Sequence, residues 1–221
     1  MLNKSHEAQK TILEIIFNSD LRDIATWGGG TALSEIYLHH RKSEDIDIIL
    51  SDLPAGEYLT IVAKKIKEKL KSQSVESFSR MNRFQYFFNL GSGEQQKLEF
   101  VYYPFSKLDK PKKEGKILIE SLFDIAVSKT LAGYQRKEPK DAYDIYEILK
   151  RKLFSLENLI NGVDKKFGEK IDTGTLLVNL THSAENFEYI KPMVINKKII
   201  GKGIKDFFQR KFNQYLKKKQ R

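Results

Sequence analysis

Residues 28–50 read GGGTALSEIYLHHRKSEDIDIIL, and the order of elements in this stretch decides the fold. Gly28, Gly29 and Gly30 form a turn that follows a short strand and precedes a helix over Ala32 to His40, with Leu33, Ile36 and Tyr37 on one side. Glu44 to Leu50 then alternates as a buried strand, so Asp45 and Asp47 leave one face while Ile46 and Ile48 point into a core. A glycine turn ahead of a helix exposes backbone N–H groups beside a helix N-terminus, an anion site suited to phosphate. Two carboxylates roughly 7 Å apart on one strand face repel each other and gain nothing structurally unless a cation lies between them. Mg²⁺ takes one or two carboxylates and fills its other positions with water and substrate phosphates. The glycine turn and the Asp pair together are therefore the minimum kit for metal-assisted phosphoryl or nucleotidyl transfer. Either half alone reads as a plain turn, or as two solvated aspartates at a strand end.

Outward from this stretch, Ser5 to Ser19 carries Ile12, Leu13, Ile15 and Ile16 at helical spacing. After Pro54 and Gly56, Tyr58 to Lys71 reads as a helix with a charged outer face. Val75 to Ser79, Phe84 to Leu90 and Lys97 to Tyr103 read as strands, the last two joined by the hairpin signal Gly91-Ser92-Gly93. Pro111-Lys112-Lys113-Glu114-Gly115 is polar and rich in turn formers, and reads as a linker. Beyond it the pattern is helical over Ile119–Tyr134, Asp141–Lys152, Leu156–Phe167, Thr175–Phe187 and Ile204–Lys219. The expected fold is α+β: a core over residues 1–113, then a helical domain over 114–221.

Composition bounds the class. The 221 residues are 40% hydrophobic and 11% aromatic, which excludes a disordered or low-complexity chain. No run reaches the ~18–20 apolar residues of a membrane span, and the first ten residues lack the apolar stretch of a secretory signal. With no cysteine there is neither a disulfide framework nor thiol chemistry. The expectation is a soluble, cytoplasmic protein. From Lys197 onward ten basic residues stand against Asp206 alone, so the tail holds nine of the ten net positive charges. Such a segment attracts polyanions, nucleic acid foremost, by counterion release; it also reads as a solvated helix that only aids solubility.

The motifs Gly29-Gly30-Thr31-Ala32-Leu33 and Arg41-x-Ser43-x-Asp45-Ile46-Asp47, with Lys129 and then Arg136-x-x-x-x-Asp141-x-x-Asp144-Ile145-Tyr146, resemble the signature of the AbiEii/AbiGii nucleotidyltransferase toxins. The resemblance anchors positions from about 28 to 148, with family-like helices after them. It implies a polymerase-β-like core, a mixed sheet with helices, followed by a helical domain that contributes to the active-site cleft. It also implies transfer of a nucleotide from an NTP to an acceptor hydroxyl, with the 3′ end of tRNA as the RNA acceptor suggested, by a toxin of a toxin–antitoxin or phage-defence system. Residue by residue, Gly29, Gly30 and Thr31 would hold the triphosphate, and Asp45 and Asp47 would bind Mg²⁺, as one ion or two. Arg41 and Ser43 would contact phosphate oxygens, and Lys129 a nucleotide phosphate. Arg136 is a phosphate contact or a plain loop residue. Asp141 stands where the family has a reactive aspartate, and an antitoxin protein becomes an expected partner.

Each assignment has a plainer counterpart. Glu99, between Leu98 and Phe100, is the acidic residue best placed to be the third carboxylate and metal ligand, but it also reads as an outward Glu paired with Lys97, and the family more often has Asp there. Arg41 also reads as a surface cap on the preceding helix. Lys129, in an apolar helical run, snorkels to solvent or faces an anion in a cleft. Asp141 follows Pro139 and also reads as a helix cap, with Asp144 supporting the helix dipole. His39 and His40 point about 100° apart on a helix and do not chelate one metal. Phe84, Tyr86, Phe87 and Phe88 could stack bases but read first as strand packing. Two rival functions remain: a metal-dependent nuclease built on Asp45, Asp47 and Glu99, and a catalytically silent nucleotide-binding module held in a complex.

Overall fold

The computed structural model describes residues 4–91 and 93–220. Ser92, the middle of the expected hairpin signal, and Arg221, the last charge of the basic tail, lie outside the described residues. The chain divides into two units. One holds the chain up to Glu35, Ser43–Phe105 and Lys110–Ser121; the other holds Ile36–Lys42, Ser106–Asp109 and the chain from Leu122 onward.

The first unit is a mixed sheet with helices. Its elements are α1 (Lys4–Phe17), β1 (Ala25–Gly28), the start of α2 (Gly29–Ala32), β2 (Ile46–Leu50), α3 (Tyr58–Leu70), β3 (Ser74–Arg80), β4 (Arg83–Gly91), β5 (Glu94–Tyr102), β6 (Lys112–Glu114) and β7 (Ile117–Ile119). The seven strands lie in the order β3-β4-β5-β2-β1-β7-β6. β2 runs antiparallel to β1 and parallel to β5, while β4 runs antiparallel to both β3 and β5. Period-two alternation sorts the side chains of these strands. Ile46, Ile48 and Leu50 of β2 and Leu98 and Phe100 of β5 are fully buried. The helices α1 and α3 pack together and bury Ile12, Ile16, Val62 and Ile66.

Two expectations are corrected here. Residues 111–115 are not a linker. Lys112–Glu114 is a strand, paired with Ile117–Ile119 through a two-residue loop at Gly115-Lys116. Gly115, at φ 57°, supplies the left-handed backbone that such a hairpin loop requires. Likewise Ile119 ends β7, beside Trp27 of β1, and the next helix begins only at Leu122. The β-branched pair flanking Leu118 favours the strand over the helix that the apolar run suggested.

The second unit is helical: α4 (Leu122–Gln135), α5 (Pro139–Lys150), α6 (Leu156–Phe167), α7 (Thr173–Glu185) and α8 (Gly201–Lys219). α4 packs on α5, α6 and α7, and α7 packs on α8. The crossing of α4 and α6 is close because of Gly162, where a Cβ would stand 2.4 Å from Val127 Cγ2. Ser155 caps α6 and Asp172 caps α7 by accepting from backbone N–H groups three residues on. Asp124, in the first turn of α4, is buried and accepts hydrogen bonds from the Leu108 and Asp109 backbone N–H groups and from Lys166 Nζ. This carboxylate is what fastens residues 106–109 to the helical unit.

Candidate active site

In the sheet unit the site is set by strand register. β1 ends at Gly28 opposite Asp47 of β2, and Asp47 stands opposite Glu99 of β5. The chain leaves β1 directly into α2, so Gly29 and Gly30 form the first turn of the helix rather than a loop ahead of it. Gly29 has φ 70°, and a Cβ there would meet Asp47 Oδ2 at 1.9 Å. Only glycine fits, because the position combines a left-handed backbone with direct contact with a carboxylate. From Leu33 the helix winds as a π-helical segment to Leu38, and His39, at φ 48°, ends it.

Thr31 is fully buried, and its hydroxyl bonds the Ser43 hydroxyl at 2.8 Å and the Asp45 carbonyl. This ties the segment before β2 to the first turn of α2. Asp45 is exposed and lies one residue before β2, while Asp47 is half-buried within it. Glu99 is buried; it accepts from Arg83 Nη1 at 2.7 Å and from Lys97 Nζ at 3.1 Å. Burial pushes its pKa up, but the Arg83 hydrogen bond and the Lys97 charge outweigh burial and hold the carboxyl below its ordinary value. Among the described residues no three His, Cys, Asp or Glu side chains converge as a metal cluster. Asp47 brings its carboxylate against Gly29, Glu120 Oε2 lies 2.7 Å from where a Cβ at Gly28 would stand, and with Asp45 these are hard oxygen donors of the kind that suit a cation completing its shell with water and phosphate oxygens. A cavity of about 300 Å³ is lined by Leu59 and Thr60 of α3, Ser77 and Ser79 of β3, and Phe84 and Tyr86 of β4. It lies on the helix-covered face of the sheet, because Tyr86 stands opposite Leu98 and Phe84 opposite Phe100, the buried face of β5.

The helical unit gathers Arg41, Lys129, Arg136 and Asp141 around a residue assigned only a supporting role by sequence. Asp144 is fully buried, with Arg41 Nε at 2.7 Å and Nη2 at 3.0 Å, Lys129 Nζ at 3.0 Å and His40 Nε2 at 2.7 Å. Asp141 receives Lys129 Nζ at 2.8 Å and Arg136 Nε at 2.8 Å. Asp141 caps nothing, since α5 starts at Pro139 after Glu138. Arg41 is not a surface cap, being 3% exposed. Residues 40–42 are held by a two-stranded bridge in which the Lys42 N–H donates to the Met193 carbonyl and the Ile195 N–H to the His40 carbonyl.

Burial pushes Asp144 up, yet the Arg41 and Lys129 charges and the hydrogen bonds from His40 and Arg41 hold it well below the carboxylate range. Asp141 is raised by burial and lowered more by Lys129 and Arg136. Lys129 is pushed down by burial and up, more strongly, by Asp144 and Asp141, so it stays charged. His40 and Asp144 were legible only as a paired-histidine motif and a second aspartate one helical turn on; nothing in the linear pattern joins positions 104 residues apart.

The profile described as "Nucleotidyl transferase AbiEii toxin, Type IV TA system" matches residues 11–218. The chain belongs to the AbiEii nucleotidyltransferase toxin family. It is an enzyme of the nucleotidyltransferase class. An uncharacterized protein of Aquifex aeolicus (strain VF5) is 27% identical to this AbiEii member over 97% of this chain and 99% of its own length. In fold it is similar to JHP933 from Helicobacter pylori, with a TM-score of 0.60 at 14% identity over 97% of this chain and 93% of that one. It is also similar to MenT4, a nucleotidyltransferase toxin from Mycobacterium tuberculosis H37Rv, with a TM-score of 0.51 at 12% identity over 88% and 85% of the two chains. These likenesses bear out the α+β, polymerase-β-like architecture expected of an AbiEii chain. Among the described residues no helix is long and apolar enough to cross a membrane.

Proposed function

We propose that this AbiEii member is a Mg²⁺-dependent enzyme that transfers a nucleotide from an NTP to the 3′ hydroxyl of an RNA, with tRNA as the acceptor, and acts as a toxin restrained by an antitoxin protein. The observation that carries this reading is the Asp47 carboxylate seated against Gly29, at the N-terminus of α2 and in register with Glu99. The hydroxyl gives up its proton to solvent as its oxygen attacks the α-phosphorus, the bond from that phosphorus to the oxygen bridging to the β-phosphate breaks, and pyrophosphate leaves. Asp45 and Asp47 would hold Mg²⁺. The chemistry it supplies is neutralisation of the charge that builds on the phosphates.

In this reading the N–H groups at Gly29 and Gly30 cradle the triphosphate, and Thr31 and Ser43 keep that turn in place. Glu99, kept ionised by Arg83 and Lys97, assists near the acceptor hydroxyl. Within the helical unit Asp141 holds the charges of Lys129 and Arg136 in position. The exposed cations of α8, Lys202, Arg210, Lys217 and Lys218 among them, attract the RNA backbone.

The test is label transfer from each α-³²P NTP to total bacterial tRNA with Mg²⁺, beside Asp47→Ala and a chelated control. Label on RNA that vanishes in both controls is the expected result and identifies the nucleotide. Absence of label from all four NTPs, together with no thermal stabilisation by NTP and Mg²⁺, would sink the reading, since a ligand that binds only the native state must raise its stability.

A further inference from the structure

The aromatic run of β4 divides by alternation. Tyr86 and Phe88 are buried, on the same face as the cavity, while Phe87 points the other way and meets Phe78 of β3 edge to face at 5.8 Å. Phe78 is 60% exposed. The strand register places this pair on the carboxylate face. Asp47, Glu99, Gln85 and Phe78 stand opposite one another in turn across β2, β5, β4 and β3, and Phe87 stands opposite Lys97. Arg80, Arg83 and Lys97 share the face with Glu76 and Glu99, and Arg83 and Lys97 are bonded to Glu99. Adjacent strands lie about 4.8 Å apart, so Phe78 is roughly 14 Å from Asp47 along one row of the sheet. That distance corresponds to about four stacked nucleotides at ~3.4 Å each.

Phe78 packs on Phe87 yet stays 60% exposed, and aromatic faces flanked by Arg and Lys bind unpaired bases and their phosphates. We propose that the open face of β3, β4 and β5 is a stacking platform for the single-stranded 3′ end of the RNA acceptor, with Phe78 and Phe87 taking bases and the row of residues leading the terminal hydroxyl toward Glu99 and Asp47. This inference rests on the RNA-acceptor reading given above. The occupant is a single strand, because a duplex hides its base faces, and its phosphates would meet the exposed guanidinium groups of Arg80 and Arg83 at the outer end of the face.

The experiment measures binding of a 5′-fluorescein single-stranded RNA of about eight nucleotides by polarisation, without NTP, to the full chain and to Phe78→Ala, Phe87→Leu and Phe78→Trp. Kd is expected to rise about fivefold or more for each aromatic removed and to return toward the parent value in Phe78→Trp, with thermal melting of the exposed-site variants unchanged. In the transfer reaction the same losses should appear in KM for RNA rather than in kcat. Equal affinity for the parent and Phe78→Ala/Phe87→Leu would overturn the platform, as would a duplex of the same sequence binding as tightly as the single strand. Phe-dependent RNA binding with no label transferred from any NTP would support the platform and defeat the transfer reading. Label transferred by the double variant at the parent KM would do the reverse.

Discussion

The two ionic clusters of this protein follow opposite rules. In the sheet unit Asp45 is exposed and Asp47 half-buried, at the end of a strand and against a helix N-terminus. In the helical unit Asp141 and Asp144 are almost wholly buried, and the cations Arg41, Lys129 and Arg136 are already bonded to them. The first arrangement places its carboxylates where a substrate's cation can reach them. The second neutralises its charge internally, so its aspartates act through the direction they impose on Arg and Lys rather than as ligands themselves. Both clusters contain two aspartates close in sequence, so residue type and spacing alone do not tell them apart; burial and the neighbouring cations do.

The largest effect that separates them is on activity. Asp47→Ala should lose transfer by about a thousandfold or more, the several kcal/mol of phosphate-charge stabilisation a metal provides, while its urea unfolding midpoint stays close to the parent value. If Asp47→Ala instead unfolded early, the carboxylate would be a structural element like Asp144.

Asp144→Ala should behave in the opposite way. Removing one partner leaves the Arg41 guanidinium and the Lys129 ammonium buried and less compensated, and the unfolding free energy should fall by about 3–5 kcal/mol. A loss well under 1 kcal/mol by urea denaturation would place water where the structure places an ion cluster.

Acid titration probes the same cluster. The native pKa values of Asp141 and Asp144 lie below the ordinary 3.8, so their stabilisation is complete above that value and is lost as pH falls through the depressed native pKa values. Melting temperature should therefore decline below about pH 4, and the decline should be shallower in Asp144→Asn. Equal slopes for the two proteins would remove the cluster from the acid transition.

Gly29→Ala should cost about 1–2 kcal/mol for a left-handed non-glycine residue and should also lower transfer, because its Cβ takes the space of the Asp47 carboxylate. The smallest effect belongs to Arg136→Ala. The Arg136 guanidinium is 59% exposed while Asp141 is buried; solvent screens the arginine, and Asp141 keeps Lys129 when it is removed, so the loss should be about 1 kcal/mol. A clear loss of transfer in Arg136→Ala at unchanged stability would assign the guanidinium to substrate rather than to the cluster.

Much of the architecture was legible in the sequence. Period-two alternation at Asp45–Leu50 assigned β2 and the side each residue faces, because one covered face demands it. Helical spacing located α1, α3 and most of the helical unit. Pro111–Gly115 misled because the residues that break a chain are also the residues that close a hairpin; only pairing of Ile117–Ile119 with its neighbours distinguishes the two. Asp144 and His40 were undervalued for a related reason. A buried ion cluster is assembled from segments far apart in the chain, and residue spacing carries no information about which cation meets which carboxylate.

By itself, then, the sequence determined the α+β class, the glycine turn with its Asp45–Asp47 pair and the family they resemble, because these depend on local periodicity and short spacing. Only the tertiary structure decided that Gly29 is required by Asp47, that Thr31 turns inward, that Glu99 is held by Arg83 and Lys97, that Asp144 anchors Arg41, and that Phe78 and Phe87 share a face with the carboxylates. Each of these depends on strand register or on helices brought together from distant segments, and the free energy of such contacts comes from burial and charge pairing that exist only once the chain has folded.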